Sequence, residues 1–290
     1  MAFCMKQKRY CILIISLIWS TFVPAQTVDD VVRLADTQFG QGNFANAAKE
    51  YNRAFFFGYN KQDELSLQIA RCYTQLNQLE LASDFYNKAY RLSGSDSIKD
   101  EALLGEAFGL LIQEKYVLAI SELLNLSENA STQQKIQYHF LKGIAHYGIR
   151  DDSIAYTEFV QSLQLSGALT LNGEILKTEF DKVFRYQKRY NPKRAYVMSG
   201  IVPGSGQLYT GAIKNGINSM LLIGGLYLIA INVARNYSFW DAAVALFPWV
   251  QRYYLGGMDK SKELAISKIE SKRYESYLKI IELTAPNDYK

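Results

Sequence analysis

Residues 34–55 read LADTQFGQGNFANAAKEYNRAF, and residues 69–90 read IARCYTQLNQLELASDFYNKAY. Set one above the other at an offset of 35, Ala35 meets Ala70, Ala47 meets Ala82, Tyr51 meets Tyr86 and Ala54 meets Ala89. This is a two-helix pattern: the alanines let helices approach closely, and the aromatics fill the groove between them. It continues more weakly. Ala107, Tyr116, Ala119 and Leu123 fit a third copy, although Leu126 stands where a small residue is usual. Gly143, Ala155, Phe159 and Ser162 fit a fourth, with Asp152 where an aromatic is expected. One helix pair cannot bury its apolar face alone, whereas stacked copies share a continuous core.

The pattern resembles the tetratricopeptide repeat, whose usual period is about 34 residues. The resemblance covers roughly residues 28–166, so residues 26–167 are read as about four such repeats. It implies an all-α fold, a helical-repeat solenoid that binds a peptide or a partner domain along its concave face. By the family's inward positions, Asp36, Phe39, Arg71, Thr74, Gln75 and Tyr147 would line that face. His139 and His146 sit seven apart in the fourth copy, nearly on one helix face. They fall where the family packs inward, with no cluster of Cys or acidic ligands nearby, and read as core residues rather than a metal pair.

The start of the chain belongs to no fold. Lys6, Lys8 and Arg9 precede the apolar CILIISLIWSTFV, and small residues lead to Ala25. This layout predicts a secretory signal peptide over residues 1–25, with an apolar core too short to span comfortably. That segment holds three of the 32 basic residues and none of the 28 acidic ones, which leaves the rest at a net +1. Such a balance favours no nucleic-acid partner. Cys4 and Cys11 leave with the signal, and the remaining Cys72 can form neither an internal disulfide nor a cysteine-based metal site.

Residues 199–216, SGIVPGSGQLYTGAIKNG, pose the question of a phosphate loop. Gly206 and Gly211 have the gap of a nucleotide-binding P-loop, but Ala212 and Ile213 follow where Lys and a hydroxyl residue are needed. Gly204 and Gly206 begin a dinucleotide fingerprint, yet Tyr209 occupies its third glycine position. A membrane reading fits better. Residues 215–234 form 20 residues without a charge, bounded by Lys214 and Arg235, enough for about 30 Å of helix. Upstream, Pro203–Gly204 predicts a tight turn between a short helix ending near Val202 and one long helix starting near Gln207. Gln207 and Tyr209 would tie the backbone of that turn. Residues 242–251 are apolar, with Phe239, Trp240, Trp249, Tyr253 and Tyr254 in or beside them, and would either lie at the membrane surface or, the reading preferred, form a membrane helical hairpin with the long helix. Residues 190–260 resemble a C-terminal membrane segment of bacterial proteins of unassigned function. Its Pro-Gly-x-Gly-Gln-x-Tyr-x-Gly turn is matched by Pro203, Gly204, Gly206, Gln207, Tyr209 and Gly211. That resemblance implies membrane residence and no activity.

The remaining divisions follow. Residues 168–194 read as a basic juxtamembrane linker: its Lys182, Arg185, Lys188, Arg189, Lys193 and Arg194 would attract anionic headgroups, or equally belong to a solvated helix and linker ended by Pro192. Residues 195–257 read as the membrane helical segment, and residues 258–290 as an exposed helical tail with Glu275 four before Lys279. Cations beside a span favour the cytoplasmic side, but the signal is taken to prevail and to place the repeats on the periplasmic side of a cell-envelope membrane. With no nucleophile–base pair, carboxylate pair or metal cluster, the chain reads as a non-enzyme without cofactor. The expectation is a membrane-anchored protein–protein interaction scaffold of the bacterial cell envelope. Its partners would be another protein or peptide, held by the repeats, and membrane lipid. The alternative is a subunit of a membrane assembly or transport machine in which the C-terminal helices do the work.

Overall fold

A computed structural model describes residues 27–286 and 289, and the expected signal at residues 1–25 lies outside them. Among the described residues the chain is all-helical, with no strand, and within each unit the helices pack against one another, most of them in series. Two compact units divide between Arg150 and Asp151.

The first unit holds α1 (Val28–Gly40), α2 (Phe44–Phe56), α3 (Gln62–Gln75), α4 (Leu79–Leu92), α5 (Asp96–Ile112), α6 (Tyr116–Leu123) and α7 (Thr132–Gly148). Its arrangement is consistent with a helical repeat. Ala35, Ala47, Ala54, Ala70, Ala82, Ala89, Ala107 and Ala119 are all buried, as are Tyr51 and Tyr86. The residues that carry the sequence pattern are thus the ones that close helix on helix. Capping boxes begin two helices. Thr27 Oγ1 accepts from Asp30 N at 3.2 Å while Asp30 Oδ2 accepts from Thr27 N at 3.1 Å, and Ser131 and Gln134 repeat the arrangement.

A second periodicity lies in the backbone. Gly42, Asn77, Glu114 and Arg150 stand at matching places after α1, α3, α5 and α7, and all four have φ between 57° and 77°. At the first three turns the left-handed residue donates its N–H three residues back and its successor donates five back, the Schellman closure that satisfies the last carbonyls of a helix. Only the first of the four uses glycine. The others hold a side chain in the left-handed region at a cost of about 1 kcal/mol each, so the turn is imposed by the packing of the helices it joins.

The second unit holds α8 (Asp152–Leu165), α9 (Leu169–Arg189), α10 (Pro192–Ile201), α11 (Ser205–Tyr209), α12 (Ile213–Asn236) and α13 (Phe239–Thr284). Three expectations change here. The second helix of the fourth copy, α8, belongs with the C-terminal helices rather than to a unit ending at residue 167. The supposed linker is the 21-residue α9, which buries Leu176, Phe180 and Val183 at helical spacing. The supposed exposed tail is the second half of α13, which buries Ala265, Arg273, Ser276 and Ile280. Their charges suggested solvent, but the charges that matter are answered from within. Arg273 pairs with Asp152, and Asp152 Oδ2 accepts from Gln187 Nε2 at 2.6 Å. Glu179 accepts from Lys182 at 2.6 Å and from Ser276 at 3.1 Å, and Asn172 donates to the Leu283 carbonyl at 3.0 Å. Glu275 pairs with Lys272 at 2.8 Å, whereas Lys279 lies 3.7 Å from Glu179.

Candidate functional site: a glycine knot beneath an exposed apolar surface

The glycine-rich stretch folds into a knot of short helices against α13. Asn191 caps α10 by accepting from Arg194 N at 3.0 Å, with Pro192 preset at the first helical position. Val202 is extended, and Gly204 follows in the left-handed region at φ 90°. Gly211, at φ 80°, then separates α11 from α12. The expected single long helix from Gln207 is therefore two helices. Gln207 belongs to the first, where its side chain faces inward instead of continuing the apolar span.

Around Gly206 the packing leaves no space. A Cβ there would overlap the Ala195 carbonyl oxygen and lie 2.5 Å from Ser199 Oγ and 2.8 Å from Ser261 Cβ. The backbone of α11 reaches the knot because residue 206 has no side chain. The polar groups form a closed chain. Gly206 N donates to Ser199 Oγ at 3.0 Å, Ser199 Oγ donates to Gln207 Oε1 at 2.8 Å, and Gln207 Nε2 donates to the Gly257 carbonyl at 2.8 Å. Ser261 Oγ donates to the Ala195 carbonyl at 3.0 Å. Tyr209 donates its hydroxyl to the Arg189 carbonyl and accepts from Asn191 N at 3.2 Å, so the end of α9 is stapled to the turn before α12. Tyr254 donates likewise to the Gly200 carbonyl. With Gln207 2% exposed, Pro203, Gly204, Gly206, Gln207, Tyr209 and Gly211 form a joint between four helices. Its hydrogen bonds are committed internally.

Beyond the knot lies a surface of opposite character. α12 is long and apolar enough to cross a membrane, and only 6% of its most apolar 18-residue window is buried. Gly216 is buried against Leu208 and Gly204, and Ile223 is buried, while Leu221, Leu222, Leu228, Ile229 and Ile231 are exposed. The start of α13 adds Phe239, Trp240, Val244, Phe247 and Trp249, all more than half exposed. Large apolar side chains exposed along two successive helices mark a membrane or interaction surface.

The six repeat residues expected on a concave face sit in the first unit in varied roles. Asp36 Oδ1 accepts from the Tyr51 hydroxyl at 2.6 Å. Burial, reinforced by that carboxylate, holds the Tyr51 phenol far above its ordinary pKa. Phe39 packs edge-on against Phe44 at 5.3 Å. Arg71 pairs with Glu101. Thr74 donates to the Ala70 carbonyl at 3.0 Å and lies 3.2 Å from the Tyr86 hydroxyl. Gln75 is exposed, and Tyr147 is 5% exposed. His146 is buried, and His139 stacks edge-on with Tyr138.

Two features of the first unit were not foreseen. Glu106 lines a cavity of about 190 Å³ with Tyr86, Asn87, Tyr90, Glu122 and Asn125. Its Oε1 accepts from Ser83 at 2.7 Å, its buried Oε2 has no partner, and burial pushes its pKa up. Cys72 is fully buried, which pushes its thiol up to about 12. No protein-family model matches the chain, and no curated protein matches it.

Proposed function

We propose that the protein is a membrane-anchored interaction scaffold of the bacterial cell envelope: a tetratricopeptide-type array held at a bilayer by a helical hairpin. The carrying observation is the exposed apolar surface of α12, whose burial in lipid removes from water what the fold leaves uncovered. The hairpin reading has its own support. The second half of α13 is bonded to α8 and α9 through Arg273 and Ser276, so both flanks of α12 belong on one side of the bilayer. A chain that enters through α12 must then return, and residues 239–257 of α13, about 28 Å of helix packed on α12, supply the way back. The four matching turns support the repeat reading, and with it a partner protein or peptide on the array. The array lies on the periplasmic side if residues 1–25 act as an export signal.

Washing native membranes with alkaline carbonate tests the anchor. The full chain should stay in the pellet, and its release into the soluble fraction refutes the anchor. Deleting residues 151–290, the whole second unit, tests the division of labour, since a shorter cut would strip Asp152 of Arg273. Partner capture that survives the deletion, scored by mild crosslinking, supports the scaffold. Capture that is lost favours a membrane assembly in which the C-terminal helices are the working part.

A further inference from the structure

Between residues 213 and 257 the chain carries four charges: Lys214, Arg235, Asp241 and Arg252. Arg235 and Asp241, near the turn between α12 and α13, are of opposite sign. The other end of the pair differs. Tyr209 joins the Arg189 carbonyl and Asn191 N to the residues just before α12, which brings the end of α9 and the start of α10 to the level of α12's first turn. Arg194 lies over the Tyr209 ring at 5.5 Å and Arg189 over the Tyr190 ring at 5.3 Å. Lys193 sits beside Arg194, and Lys214 begins α12. Arg189, Lys193, Arg194 and Lys214 are all exposed, and none has a carboxylate within 4.0 Å among the described residues. Elsewhere in this unit Lys182, Lys260, Lys272 and Arg273 each have an acidic partner.

We infer that Arg189, Lys193, Arg194 and Lys214 form a collar for the phosphates of anionic phospholipids at the open end of the α12–α13 pair. The inference rests on the membrane reading and adds the chemistry of the lipid. Three features carry it. Among the described residues none of the four cations has a carboxylate partner, and Lys214 stands next to the exposed Ile213, where the apolar surface begins. The two tyrosine rings fix two of the guanidinium groups there, which lowers the entropy lost when a phosphate is bound. Arg252 is a fifth exposed cation without a carboxylate partner. It lies five residues toward the turn from Gly257, about 7.5 Å along the helix, a distance that an extended arginine spans to reach the same surface. A guanidinium at that depth needs an anion drawn to it, and a headgroup phosphate supplies one.

The test uses the full chain in vesicles of phosphatidylcholine with a minority of phosphatidylglycerol, extracted in mild detergent, with retained lipid counted by native mass spectrometry. Phosphatidylglycerol should be retained at least about tenfold above its bulk share, because each cation near the surface favours it about fivefold. Arg189→Gln, Lys193→Gln, Arg194→Gln and Lys214→Gln together should return the ratio to the bulk value. Lys260→Gln with Lys272→Gln should leave it unchanged. Raising the salt should lower the enrichment of the unaltered chain, a readout independent of any variant. Bulk-ratio retention by the unaltered chain overturns the collar, as does undiminished retention by the fourfold variant. Displacement of the lipid by inorganic phosphate reassigns the cations to a soluble anion and also overturns it. A carbonate wash of the same vesicles separates the two levels. Protein that stays without excess phosphatidylglycerol defeats the collar alone, and protein that washes off defeats the membrane reading beneath it.

Discussion

Replacing Gly206 by alanine places a methyl group where the knot has no room. The new Cβ meets a backbone carbonyl oxygen, Ser199 Oγ and Ser261 Cβ, and none of these is the far end of a flexible side chain. Overpacking of this kind costs about 1–3 kcal/mol. Relief by pushing α10 away stretches the bonds from Gly206 N to Ser199 and from Ser199 to Gln207, at about 1 kcal/mol each. The sum is about 3–5 kcal/mol. Gly211 is the matched comparison. Its φ is 80° but no heavy atom lies within 4 Å of its missing Cβ, so alanine there bears only the backbone term of about 1 kcal/mol. Trp240 and Trp249, both in α13, report on this unit by fluorescence during heating in detergent. At about 2–4 °C per kcal/mol, Gly206→Ala should lower the midpoint by about 10 °C and Gly211→Ala by about 3 °C. If the two fall equally, close packing is not what residue 206 supplies, and the knot described above is wrong.

Further expectations concern the charges, the thiol and the repeat turns. Arg273→Met strands the buried Asp152 carboxylate and should cost the second unit about 3–5 kcal/mol, whereas adding Asp152→Leu should restore most of it; tryptophan-monitored melting decides. Acid should act oppositely on the two units. Burial raises the Glu106 pKa, so its cost is absent below the unfolded value of 4.5 and sets in as pH rises through the folded one. Glu106→Gln should therefore raise the first unit's midpoint at neutral pH and change nothing near pH 4, as followed by circular dichroism. For Glu179, burial works against the charge, but the bonds from Lys182 and Ser276 outweigh it and hold its pKa down. Its stabilisation is complete above the unfolded value of 4.5 and is lost as pH falls through the folded one. Cys72 should resist a maleimide until the first unit opens, so labelling at neutral pH should track unfolding; immediate labelling would contradict its burial. Glu114→Gly should stabilise the same unit by about 0.5–1 kcal/mol, since it relieves a left-handed φ of 57° without removing a contact of the turn.

What the sequence made legible was whatever repeats or contrasts locally. The offset of 35 placed the alanines and tyrosines that prove buried, because a small residue at a helix crossing is required by geometry in every copy. The uncharged run of α12 was legible for the same kind of reason, since no charged residue interrupts it for about five turns. Three things were hidden. The left-handed Asn77, Glu114 and Arg150 give no glycine signal, so the shared turn could be recognised only in the backbone. The partition of residues 203–216 into two helices depends on Gln207 turning inward to Gly257, a bond across 50 residues. The burial of the C-terminal helix depends on Asp152 and Arg273, which lie 121 positions apart. Charge runs look solvated when their partners are that distant.

Asp152 is the point at which these features meet. At the first position of each copy's second helix the chain carries Phe44, Leu79, Tyr116 and then Asp152. In the third copy the Tyr116 ring fills the notch over Gly148, with ring carbons 2.5 Å from where a Cβ would stand. A carboxylate cannot take that apolar role. Buried to 4% exposure, it is tolerable only when a cation and a donor answer it, and Arg273 and Gln187 do so. The substitution that weakens the repeat pattern therefore selects α9 and α13, rather than a further copy, as the cover of α8. It also fixes one end of a rigid rod. From Arg273 back to Gly257 and Ser261, where α13 enters the glycine knot, is a single uninterrupted helix about 24 Å long. A displacement of α12 and its knot must then be felt at the buried ion pair, because the helix between them has no hinge to absorb it.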